Sequence, residues 1–263
     1  MNDRTLDSLT ALAVRLADAA APVALRYFRT PVAVDAKADA SPVTIADREC
    51  EAAMRAILAA EVPAHGIYGE EHGQERLDAS HVWVLDPIDG TRAFITGRPL
   101  FGTLIGLWRD GKAAIGIVDC PALGERWIGV AGRPTLRIAA GASQVAKVRP
   151  CPAVEQAMLG SCTPYMFSGR DSIAFDKLVR TSRSAIFGGD CYSYAQLASG
   201  FMDLVVEGSL KPYDYVALVP MVEGAGGVCT DWQGRPLDLG SDGRVIAAGD
   251  RRTHAAAMAI LAG

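Results

Sequence analysis

Two aspartates three residues apart, Asp86 and Asp89, sit in the stretch V-W-V-L-D-P-I-D-G-T-R-A-F at 82–94. The apolar residues leading into Asp86 read as a buried strand, and Pro87 and Gly90 then turn the chain so that both carboxylates gather at one strand mouth. Burying unpaired carboxylates costs on the order of several kcal/mol, which a bound cation offsets. A hard ion such as magnesium takes a few carboxylate oxygens, keeps part of its water and is completed by a substrate phosphate. Glu70, within G-E-E at 69–71, and Asp214, in L-K-P-Y-D-Y-V-A-L, are the further acids that could fill such a shell. Gly90 and Thr91 read as a helix start whose free N–H groups could hold a phosphate.

Each of these residues also has a plain structural reading. Glu70 and Glu71 between Gly69 and Gly73 are what a solvated loop looks like, and Asp214 before an apolar run is a plausible N-cap. Thr44 and Asp47 have a spacing related to the capping box, which by itself says only that a helix starts there. Competing chemistries are weaker. The four histidines, His65, His72, His81 and His254, have no metal-site spacing. No G-x-S-x-G elbow, P-loop or dinucleotide fingerprint occurs. Metal-activated water is therefore the natural nucleophile.

The elements that must position these groups are legible as patterns. Leu6, Leu9, Ala13, Leu16 and Ala20 form a helical stripe reaching toward Pro22. A strand-like piece V-A-V-D-A-K follows, then a helix carrying Cys50, Ala53, Met54, Ile57 and Leu58 inward and ending by Pro63. Residues 101–138 read as an antiparallel meander. A polar, Pro-bearing stretch at 141–152 suggests a boundary between a subdomain at 1–141, with the antiparallel sheet and most metal ligands, and one at 142–263 contributing Asp190, Glu207 and Asp214. In the second, strands alternate with helices expected at 174–181, 192–199, 216–223 and 254–261, as in an α/β layer.

Composition narrows the partners. At 263 residues, half of them hydrophobic, the chain can bury a sizeable core. A net charge of −4 without basic runs argues against nucleic acid and for a small ligand. The six cysteines lack C-x-x-C spacing, so inert thiols in a reducing cytoplasm are expected. No signal-peptide core or apolar run near membrane-span length is expected, which makes a soluble cytoplasmic protein the default.

Taken together, K-x-D-x-S-P-V-T-x-A-D at 37–47, G-E-E at 69–71, D-P-I-D-G-T at 86–91 and Asp214 before an apolar helix resemble the inositol monophosphatase family of magnesium-dependent phosphatases. The resemblance implies a mixed α+β or α/β fold, a layered α-β-α-β-α sandwich of the inositol monophosphatase and fructose-1,6-bisphosphatase type, and commonly a homodimer. It makes Glu70, Asp86 and the carbonyl of Ile88 ligands of one Mg2+, and Asp86, Asp89 and Asp214 ligands of a second, with a weaker third ion near Glu70. The Gly90 and Thr91 amides would receive the phosphate. Asp47 with Thr91 would orient and help deprotonate the attacking water in a two-metal in-line displacement, with Glu70 contributing at the same centre.

Within that family, F-G-G-D-C-Y-S-Y-A at 187–195 and D-L-V-V-E at 203–207 look like the bacterial histidinol-phosphate phosphatase branch. Its substrate is cationic, and Asp190 and Glu207 are acids beyond the metal set that could pair with an ammonium and an imidazole. Arg92 and Tyr213 depart from the residues common at these places in inositol phosphatases, and Arg92 joins the substrate-binding candidates. The implied reaction is hydrolysis of L-histidinol phosphate in histidine biosynthesis. Alternatives are a phosphatase for inositol-1-phosphate or sugar phosphates, a 3'-phosphoadenosine phosphatase, and, from another class, a catalytically silent phosphosugar-binding regulator. The intact Asp47, Glu70, Asp86, Asp89, Thr91 and Asp214 speak against the last.

Overall fold

The computed structural model describes residues 3–36 and 42–263, so positions 37–41 of the first motif lie outside the described residues. In chain order the elements are α1 (Asp3–Tyr27), β1 (Val34–Ala36), β2 (Pro42–Thr44), α2 (Ile45–Glu61), β3 (Gly66–Gly69), β4 (Gln74–Glu75), β5 (His81–Asp89), α3 (Thr91–Ile95), β6 (Gly102–Arg109), β7 (Lys112–Cys120), β8 (Glu125–Val130), β9 (Leu136–Ala139) and β10 (Ala142–Val145). The second half holds β11 (Met158–Ser161), α4 (Gly169–Thr181), β12 (Ser184–Phe187), α5 (Asp190–Ala198), β13 (Leu204–Glu207), α6 (Pro212–Tyr215), α7 (Leu218–Gly224), β14 (Val228–Asp231), β15 (Val245–Ala248) and α8 (Arg251–Leu261).

An eight-stranded sheet runs β10-β9-β8-β7-β6-β5-β3-β4, and a five-stranded sheet runs β12-β11-β13-β15-β14. Strand alternation sorts their side chains into layers. Trp83, Leu85, Ile105, Leu107, Ile115 and Ile117 pack under α1 and α2. Val82, Val84, Leu104 and Val118 face the other way, onto α5 to α7, which also receive Val205, Val245 and Ala247 from the second sheet. Leu204, Val206, Ile246 and Ala248 then point outward onto α4 and α8. The result is the expected α-β-α-β-α sandwich.

Several details differ from the sequence reading. By length and composition α1 is apolar enough to cross a membrane over Thr5–Tyr27, but its apolar stripe belongs to the core formed with α2 and the first sheet. The polar stretch beginning at 141 opens with a hairpin. Ala140 and Gly141 both have positive φ, and β10 returns antiparallel to β9, so the first sheet extends past residue 141. An alanine in the left-handed region carries no turn signal of the Asn-Gly kind. The helix expected from Val216 starts four residues earlier and is broken into α6 and α7.

That break lies on a row of glycines. Gly106 pairs with Gly116 and Gly116 with Gly129 across β6, β7 and β8. A Cβ on Gly116 would stand 1.8 Å from the Ala217 carbonyl oxygen, one on Gly129 would stand 2.4 Å from the Met221 amide nitrogen, and one on Gly106 would stand 2.7 Å from Val216 Cγ1. The row is a trough into which the α6–α7 backbone drops, and this depth sets the height of Asp214 above β5. Gly116→Ala should cost about 3 kcal/mol or more, since the obstacle is backbone and overpacking relaxes poorly. Chemical denaturation measures this, and a midpoint equal to that of the parent would refute the trough.

Candidate active site

Asp86 and Asp89 share a face because of one extra residue. On β6, Leu104 and Gly102, the partners of Asp86 and Asp89, are two residues apart, whereas the two acids are three apart on β5. The register shift between them is a bulge, and without it the period of two would send Asp89 to the α1–α2 side. The chain therefore does not turn at Pro87, as the sequence suggested. It stays extended to Asp89 and turns at Gly90, whose φ is 84° at the start of α3.

Asp214 reaches the same spot from α6. It is not the N-cap residue but the third helical position, and its carboxylate reaches back to accept a 2.6 Å hydrogen bond from the Lys211 amide. Asp86, Asp89 and Asp214 offer oxygens that all lie within 4.8 Å of one another. Asp86 is fully buried, with Oδ1 accepting from the Ile88 amide at 3.1 Å. Asp89 Oδ2 accepts from the Cys191 amide at 2.6 Å, a first-turn N–H of α5. Glu70 follows β3 and donates its amide to the Leu85 carbonyl at 3.1 Å, which brings it beside Asp86.

Mutual repulsion marks the cluster. Burial first, then the charges of Glu70, Asp89 and Asp214, hold the Asp86 carboxyl well above the usual range. Burial and the neighbouring Asp190 push Asp89 up to about 7, against the opposing hydrogen bond from Cys191. Asp214 is raised by burial and then by Asp89. These groups are hard oxygen donors whose desolvation and mutual charge ask for a cation, and they fit magnesium. Tyr213 packs alongside, its hydroxyl pKa raised by burial and by Asp214, Glu70 and Asp86.

Asp47 is also a third helical residue that reaches back. It completes a capping box with Thr44, whose amide and hydroxyl donate to Oδ2 at 2.8 and 2.6 Å. Its other oxygen lies 3.5 Å from the Thr91 hydroxyl, whose one proton has the Ile88 carbonyl, at 3.1 Å, as its nearer acceptor. The cap and the chemistry are thus compatible, one oxygen for each. Burial raises the Asp47 pKa while the bonds from Thr44 oppose it.

The substrate-side candidates separate. Asp190, at the start of α5 with φ of 45°, has Oδ2 3.0 Å from where a Cβ on Gly90 would be. Burial raises its pKa, opposed by the Cys162 thiol and the charges of Arg98 and Arg92. Arg92 is exposed. Glu207 is 4% exposed, and both oxygens already carry protein donors, the Cys162 amide at 2.8 Å and the Tyr194 hydroxyl at 3.1 Å. These two donors tie Glu207 to the segment after β11 and to α5. Sequence reading counted Cys162 and Cys191 only as inert thiols and did not single out Arg98. Only their closeness to Asp89 and Asp190 in space gives them a place here.

Two outcomes are expected for the acids. In the metal-free fold Asp89 keeps its proton to about pH 7, whereas its ordinary value is 3.8. The unfolded chain gives that proton up first, so this site costs stability progressively as pH rises between those values. Magnesium must displace the proton, and the concentration giving half-maximal thermal stabilisation should fall as pH rises through 7. A pH-independent titration would count against the cluster. Asp89→Asn keeps volume and removes one repelling charge. Its metal-free melting temperature should match or exceed the parent's, while magnesium stabilisation and phosphatase activity are largely lost.

Comparison with known proteins agrees with this geometry. The sequence matches the inositol monophosphatase family over residues 5–262. It is 45% identical to the chloroplastic bifunctional phosphatase IMPL2 of Arabidopsis thaliana, over 98% of this chain and 76% of that one. It is 34% identical to a histidinol-phosphatase of Chlorobaculum parvum, over 90% of each. The solved inositol monophosphatase of Zymomonas mobilis superposes with a TM-score of 0.89 at 49% identity, over 98% of each chain. With this sandwich and an acidic cluster able to bind metal, the chain belongs to the inositol monophosphatase family and is a phosphatase of it.

Proposed function

We propose that the chain hydrolyses L-histidinol phosphate to L-histidinol and phosphate, in histidine biosynthesis. The observation that carries this reading is Asp190. Its carboxylate leans over Gly90, where the helix-start amides of Gly90 and Thr91 would receive the phosphate. Arg98 and Arg92 offset part of the Asp190 charge, but an acid beside an anion site still favours a substrate that brings its own positive charge, and the metal cluster does not need this acid. The left-handed backbone of Asp190, at φ 45°, is a local strain of the kind kept at binding sites. The histidinol-phosphatase relative supports the same substrate.

Magnesium held by Glu70, Asp86, Asp89, Asp214 and the Ile88 carbonyl would polarise the phosphoryl oxygens and acidify a water. The protein's own groups do the rest. Thr91 and Asp47 hold the water, and Asp47 Oδ1, the oxygen not bonded to Thr44, accepts its proton. Burial brings that carboxyl closer to working pH, which improves it as a base. The amides of Gly90 and Thr91 and the side chain of Arg92 orient the phosphate, and Asp190 pairs with the cationic end of the substrate. We also propose a cytoplasmic homodimer, which sedimentation of the purified protein tests.

Inositol-1-phosphate is the second reading, favoured by the 49% identity to the Zymomonas enzyme. A panel of esters with magnesium separates the two. Histidinol phosphate should have the highest kcat/KM, and Asp190→Asn should raise its KM about tenfold or more while leaving a neutral ester within about twofold. Equal turnover of both esters by the parent would replace the narrow assignment with a broad one.

A further inference from the structure

Helix α2 carries Asp47, Glu51 and Arg55 at successive four-residue steps, one face of a helix. Asp47 stands at the catalytic end. Glu51 is 0% exposed, and its carboxylate is fully engaged on the turn that carries Glu70. Oε2 accepts from the Glu71 amide at 2.7 Å, and Oε1 accepts from the His72 amide at 3.1 Å and from Arg55 Nε at 2.7 Å. Arg55 continues the chain, donating to Glu75 Oε1 at 2.6 Å and to the Gly73 carbonyl. His72 Nε2 also meets the Arg48 carbonyl at 2.9 Å. On its other side the turn is bonded to β5 through the Glu70 amide and closed by Gly69 N–H on the Gly73 carbonyl.

The fit is close enough to dictate a residue type. A Cβ on Gly69 would lie 2.0 Å from Glu51 Oε1 and 2.7 Å from an Arg55 guanidinium nitrogen. A buried carboxylate that takes up the two backbone amides directly following a catalytic acid does more than fill space. Glu70 and Asp86 repel each other, and the turn must hold Glu70 in place against that repulsion.

We propose that Glu51 is a positioning residue: it locks the turn at 69–73 and, through α2, fixes Glu70 relative to Asp47, so that the metal-binding acid and the water-holding acid keep one geometry. This rests on the reading that Glu70 belongs to the magnesium shell. Glu51→Gln keeps the volume but removes the charge paired with Arg55 and turns one acceptor into a donor facing an N–H group.

The test follows magnesium-induced thermal stabilisation and amide hydrogen exchange in the full-length protein, with Glu70→Gln as the benchmark for a lost ligand. In Glu51→Gln the magnesium concentration giving half of the stabilisation should rise about tenfold, and kcat should fall. KM for the ester at saturating magnesium should stay within about twofold, and the Glu71 and His72 amides should exchange faster. Gly69→Ala leaves Glu51 chemically intact but displaces it. It should reproduce the phenotype, and the double variant should be no worse than the more severe single.

A folded Glu51→Gln or Gly69→Ala protein whose magnesium half-point stays within twofold of the parent's overturns the proposal. So does parental exchange of the Glu71 and His72 amides at the rate of an open turn, a measurement that needs no variant. If magnesium fails to stabilise even the parent, the metal reading itself falls and this proposal falls with it. If the parent is stabilised, Glu70→Gln is not, and Glu51→Gln behaves as the parent, only the role of Glu51 is lost.

Discussion

The backbone of residues 216–221 lies directly on the glycine row of β6, β7 and β8, and the site depends on that contact. Helix and sheet layers normally keep about 10 Å between them because side chains fill the gap. Here Gly106, Gly116 and Gly129 supply no side chain, and the Ala217 carbonyl occupies the space a Cβ would need. The chain carrying Asp214 sinks to the level at which its carboxylate meets those of β5. Strand register makes the row and strand alternation turns it toward the middle layer, so a secondary-structure periodicity is converted into a distance between two acids.

Bringing the acids together runs against their charge, and the surrounding structure is arranged to resist it. Each carboxylate is tied by a backbone N–H: Asp86 by Ile88, Asp89 by Cys191, Asp214 by Lys211, Asp47 by Thr44. These donors come from a bulge, helix starts and a cap, places where N–H groups lack helical acceptors. They leave the second oxygen of each acid for chemistry. Burial first, and then the neighbouring charges, raise the pKa values of Asp86, Asp89 and Asp214, and a bound cation would offset both.

Family membership fixes the reaction class, and the residues proposed here to choose the ester come from a different part of the molecule than the metal-binding acids. The acids of the cluster come from β5, the turn after β3 and α6. Asp190, Cys162 and Glu207 come from the second sheet and the start of α5. The two sets meet at Asp89, which accepts from the amide next to Asp190. Relatives at about one-third identity to this chain bear both histidinol-phosphatase and inositol monophosphatase names.

Local pattern carried much of this into view. The stripe of α1, the Thr44–Asp47 box, the meander and the strands of the second sheet follow from periods of 3.6 and 2, and the acids of the cluster and its partners were named from motif and spacing. What the sequence alone determined about this protein is therefore most of its elements, the family it resembles and the acids Asp86, Asp89 and Asp214 that converge in space. Tertiary structure decided how they meet. A one-residue bulge, not a turn, puts Asp89 beside Asp86. A row of glycines sets the height of Asp214, a buried glutamate 20 residues away holds the Glu70 turn, and Glu207 is engaged by Cys162 and Tyr194. Each of these depends on contacts between residues distant in sequence, where a single glycine or glutamate has no local signature. Their meaning comes from what the packed layers bring against them.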